Sequence, residues 1–221
     1  MRALRIAPRY ALALLGVVAL TTSAVAQNPQ PQLDSATLRA IAPVLDRARA
    51  ANLPVELLYA KAREGEVQRA PVARIESAVR VLADRMQTAH EALQPNPTAE
   101  EVRGAADALK QGVPRETLRE MRRAGKDASL AVPLGVLTQL VLRGVPVERA
   151  SVQIVDLLQR GAKTQHFTAL DERVRADVLA GKRPDESLDL RLKGIFPNLP
   201  QQATADGGAG LQANAPNRKR P

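Results

Sequence analysis

Apolar residues crowd the middle of this chain. From Val132 to Leu142 only Thr138 and Gln139 are polar, and a helix that is hydrophobic nearly all round belongs inside a core. Gly144-Val145-Pro146 stops that helix and starts another, whose Val147, Ala150, Ile154, Leu157 and Leu158 share one broad face. Gly reaches φ > 0 without strain just past a helix end, and Pro suits the first helical position. The clearest amphipathic stretch is Pro71 to Leu93, where Val72, Ile75, Val79, Leu82, Met86, Ala89 and Leu93 alternate spacings of three and four. Such a stripe predicts one long helix lying across the core, in preference to a dimerisation seam.

The remaining elements follow from the same periodicity. Asp34 or Ser35 can cap a first helix bearing Leu38, Ile41 and Leu45, with Pro43 predicting a kink or a restart at Ala42. Thr98-Ala99-Glu100-Glu101 reads as a capping box for a helix reaching about Gln111. Pro114 to Ala124 carries Leu118 and Met121, and a later helix ending at Gly181 carries Phe167, Leu170, Val174 and Val178. After Pro184 the run SLDLRLKG alternates with period two, which permits a strand, but no partner strand is evident and a helix is expected. The expectation is an all-α, compact array of about eight or nine helices over residues 34–197.

The turn recurs. Asn52-Leu53-Pro54, Gly112-Val113-Pro114 and Gly144-Val145-Pro146 each precede a residue and then a glutamate, whose charge suits a helix N-terminus. Gly65 lies eleven residues after Pro54 and Gly125 eleven after Pro114, with Pro71 and Pro133 following. These spacings suggest an internal duplication with a period near 60 residues, each copy a three-helix unit.

Composition changes the picture mainly at the ends. Arg2, Arg5 and Arg9, the apolar run Ala11 to Leu20 and Ala24-Val25-Ala26 compose a secretory signal peptide over 1–26, with cleavage after Ala26. The run is about half the roughly 20 residues a membrane span needs. Residues 27–33 form a polar, proline-containing leader, and 198–221 a disordered tail ending in Arg218, Lys219 and Arg220. The formal charge is +9; without the leader arginines it is smaller, and it argues only weakly for a polyanion partner. With no cysteine in the chain, disulfides, thiolate metal sites and a thiol nucleophile are excluded together. The expected location is periplasmic or secreted, with no integral membrane segment after the signal is removed.

Candidate chemistry is sparse. His90 and His166 are the only histidines, without HExxH spacing, and no GxSxG elbow or glycine-rich phosphate loop is present. No catalytic, cofactor-binding or metal-ligating residue is assigned, and no cofactor is expected. A glycan-cleaving reading would make Glu64 or Glu66 the general acid, but it wants an aromatic-lined cleft, and the chain has no Trp and two each of Tyr and Phe. The same scarcity argues against nucleic acid. The candidate anion-binding residues are Arg122, Arg123 and Lys126 at a helix C-terminus, with Arg218, Lys219 and Arg220 in the tail.

LLYAKAREG, APVARIESAVRVLADRM, ADALKQGVPRETLREMRRAG and VPLGVLTQLVLRGVPVERAS resemble uncharacterised secreted all-helical bacterial proteins with repeated helix-GVP-helix turns. Those carry the Lys-Ala-x-Glu-Gly segment found here at Lys61, Ala62, Glu64 and Gly65. The resemblance implies export and a helical fold and no particular activity. One departure is Gln68-Arg69-Ala70-Pro71, where Gly-Val-Pro is expected and the helix C-cap should be weaker. The leading expectation is a non-catalytic protein-interaction or scaffold role in the bacterial envelope with a protein partner. The alternatives are a binder of anionic envelope polymers through the basic residues, and an enzyme of unrecognised type.

Overall fold

The computed structural model describes residues 33–199 except Asp127. The expected signal segment, nearly all of the polar leader and the basic residues of the expected tail lie outside the described residues. Leu33 and Leu199, which border those segments, are buried against the core. The folded body therefore takes in one apolar side chain more at each side than its polar boundaries suggest.

Nine α-helices are present among the described residues: α1 (Ser35–Ala50), α2 (Val55–Val67), α3 (Val72–Ala92), α4 (Ala99–Lys110), α5 (Arg115–Gly125), α6 (Ala131–Leu142), α7 (Val147–Gln159), α8 (Thr164–Leu179) and α9 (Pro184–Ile195), closed by the 3-10 turn Phe196–Asn198. None is long and apolar enough to cross a membrane. The alternating segment is helix α9: Leu188 and Leu192, four apart, are buried, and Leu190 between them is 51% exposed. Its Pro184 stands in the first turn with Asp185 and Glu186, where negative charge meets the helix dipole favourably.

Six helix ends close identically. At Asn52, Arg69, Gly112, Gly144, Gly161 and Gly181 φ is positive, and the next residue's N–H reaches five residues back, as in Leu53 to the Ala48 carbonyl and Val145 to Leu140. This satisfies carbonyls that a helix terminus leaves unpaired. It also explains the apolar residue of each turn, since Leu53, Val113 and Val145 are buried against the helix just ended. The expected weakness at Arg69 does not appear in the bonding: Ala70 N–H meets the Gly65 carbonyl at 2.9 Å, with Arg69 held at φ 54°. The prolines sit one place earlier than expected. Pro54, Pro71, Pro114 and Pro146 are N-caps in extended conformation, and the helix begins at the residue after each.

Two other expectations change. Helix α1 runs unbroken through Pro43, because that proline faces solvent while Ile41, Val44 and Leu45 face the core. Leu38 is 38% exposed and Leu142 56% exposed, so neither belongs to the core. The rest of α6 does: Leu134, Leu137 and Leu140 are fully buried.

Helices alternate between two rows. In one row α1 packs on α3, α3 on α5 and α5 on α7; in the other α4 packs on α6 and α6 on α8. Helix α9 packs on α8, and side chains link it and its closing turn to α7: Arg149 pairs with Asp185 and Asp189, and Arg160, just past the end of α7, lies over the Phe196 ring. Helix α2 departs by packing on α1 and α3. A 60-residue register would match α2, α3 and α4 with α5, α6 and α7, yet α2 packs on α3 while α5 packs on α7. In an alternating two-row array, a shift of three helices exchanges the rows, so the matched helices do not occupy equivalent places.

Candidate functional site

The polar residues that fold into the interior act as clasps. Glu101, the third helical residue of the capping box, is 3% exposed. The box forms as expected, with Glu101 N–H on Thr98 Oγ1 and Thr98 N–H on Glu101 Oε2. The same carboxylate accepts Arg122 Nη2 at 2.8 Å and the Leu130 N–H at 2.8 Å. One side chain thus ties α4 to α5 and to the loop entering α6. Burial pushes its pKa up, but the Leu130 and Thr98 amides and the Arg122 charge outweigh that and hold it below the ordinary carboxylate range.

A second clasp joins α8 to α9. Asp177, 5% exposed, accepts from Arg191 through both oxygens at 2.7 Å, from Lys182 at 3.0 Å and from Ser187 Oγ at 2.8 Å. Hydrogen bonds from Arg191, then Lys182 and Ser187, hold its carboxyl far below its usual range. Between α6 and α8, Arg143 Nη1 meets Asp171 Oδ1 at 2.5 Å.

These clasps decide the fate of the basic candidates. Arg122 is not presented to solvent as an anion ligand: its guanidinium pairs with Glu101, its Nε donates to the Leu93 carbonyl at 3.1 Å, and its side chain is 15% exposed. Arg123 and Lys126 are exposed and border one depression with Glu120 and Gln159. Arg218, Lys219 and Arg220 lie outside the described residues. Neither histidine approaches a carboxylate: His90 Nδ1 meets Gln94, and His166 Nδ1 accepts the Lys163 N–H. Among the described residues no group of three metal-ligating side chains is assembled. Glu64 is exposed, and its hydrogen bond and ion pair with Lys61 lower its pKa, the reverse of what a general acid needs. Glu66 accepts the Asp34 N–H at 2.9 Å and fastens the start of α1.

Three hollows lie along α5 and α7. At one end Thr117 and Glu120 of α5 face Glu148, Ser151, Val152 and Asp156 of α7 across a hollow of about 480 Å³ that no lysine or arginine lines. Glu120 and Gln159 continue into the depression bordered by Arg123 and Lys126. Ala124 and Lys126 continue in turn into a cleft of about 800 Å³ toward α8, walled by small and apolar residues such as Gly125, Pro133, Leu158 and Phe167, with Lys163 and Glu172 also on its lining. The three hollows share lining residues and form one trough, acidic at the α7 N-terminal end and basic beyond. Gly125 on its lining lies close against the core, where a Cβ would stand 2.6 Å from Leu130 Cδ2.

Inside the acidic section Ser151 is 6% exposed, and its hydroxyl has no hydrogen-bond partner. Val152 beside it is 63% exposed. Periodicity gave no notice of this trough. The sequence marks Glu148 only as the glutamate of its turn and does not single out Glu120; the packing of α5 on α7 sets them on facing walls.

The chain matches no protein-family model, no functionally described protein and no solved structure.

Proposed function

We propose that the chain is an exported, non-catalytic interaction protein of the bacterial envelope that grips an extended segment of a protein partner in the α5–α7 trough. Export rests on the basic, apolar and small-residue order of residues 1–26. The observation that carries the reading is how the acidic side chains are used. The buried carboxylates, Glu101 and Asp177, are saturated by structural donors, while the trough offers open carboxylates and an exposed valine in one concavity. Apolar floor with a charged rim is the ordinary anatomy of a recognition surface. Its acidic end favours a segment bearing lysine, arginine or a free amine.

A photoreactive amino acid at Val152 tests this in envelope preparations. A discrete protein adduct is expected, weakened at least severalfold by Glu120→Gln with Glu148→Gln. The same adduct formed equally from Val81, 51% exposed on α3, would sink the assignment. The second reading, a binder of anionic polymer, is favoured by Lys126 and Lys163 on one cleft. It requires retention on a polyanion that falls steeply between low and physiological salt.

A further inference from the structure

We draw no further inference here: the strongest candidate, the cleft between the C-terminal ends of α5 and α7 and the N-terminal end of α8, with exposed Lys126 and Lys163 on its lining, carries none, because surface lysines beside a helix N-terminus are all that points to a ligand there and nothing in the structure shows what covers its apolar wall.

Discussion

Replacing Glu101 by glutamine keeps the shape of the side chain and exchanges one acceptor oxygen for an NH₂ donor. In the native protein Oε1 receives the Leu130 N–H, while Oε2 receives the Thr98 N–H and Arg122 Nη2. Either orientation of the amide therefore points an NH₂ at a group that can only donate. Hydrogen bonds to a charged group contribute about 1.5–3 kcal/mol each, and breaking a buried ion pair by removing one partner costs about 3–5 kcal/mol. Arg122 keeps some contact with water at 15% side-chain exposure, which places the loss for Glu101→Gln near the lower end, about 3 kcal/mol. Urea unfolding followed by circular dichroism reads this directly. With a slope of about 2 kcal/mol per molar, the midpoint should fall by about 1.5 M at unchanged slope. A cycle with Arg122→Gln should return a coupling of about 1–3 kcal/mol. The pH dependence has a fixed sign: a carboxyl whose folded pKa is lowered contributes stability above its unfolded value, near 4.3, and loses it as pH falls through the folded value. The wild type should therefore lose its advantage over Glu101→Gln on acidification below about 4. A midpoint within about 0.3 M of wild type at neutral pH would refute the clasp.

Four further substitutions check other parts of the fold. Gly144→Val forces a β-branched residue to φ 98° and should lower stability by at least about 1–2 kcal/mol, seen as a lower melting temperature. Arg69→Gly removes the side chain from a left-handed position at φ 54°, so the melting temperature should rise, by a free energy of about 0.5–1 kcal/mol. Leu140→Ala should cost about 2–5 kcal/mol, whereas Leu142→Ala, on a residue 56% exposed, should stay within about 0.5 kcal/mol of wild type.

The helices themselves were legible because their information is local. A cap such as Thr98 with Glu101, a stop such as Gly144 and a stripe such as Ile75, Val79 and Met86 each specify structure within one or two turns. What escaped was non-local. Glu101 was readable as half of a capping box, but its bonds to Arg122 and Leu130 depend on how α4, α5 and the next loop meet. Arg122, Arg123 and Lys126 look equivalent as a basic run, and tertiary packing turns the first inward and leaves the others outside. Leu142 shows the converse limit, since a uniformly apolar helix has no polar face to reveal which side touches water. The turns behind the 60-residue register carry no tertiary information for a similar reason: recurring Gly-Val-Pro turns report the needs of helix ends, and those needs are the same in either row. The trough was the least legible feature, because its walls come from α5, α7 and α8, which are brought together only by tertiary packing.

The alternating rows also set how this chain can assemble. Its principal helix contacts join helices no more than two places apart in sequence, so forming them closes only short loops. Topologies dominated by such near-neighbour contacts fold quickly. They also open piecemeal, since releasing α9 or α1 breaks contacts with only the adjacent elements. Hydrogen exchange should therefore be slowest along α3 and α6, where neighbours stand on both sides, and should quicken outward toward each end. Arg149 and Arg160 link the α7 region to α9 and its closing turn, so opening α9 would free the α7 flank without unfolding α5. A chain built this way can loosen its binding surface from one end while its centre stays folded.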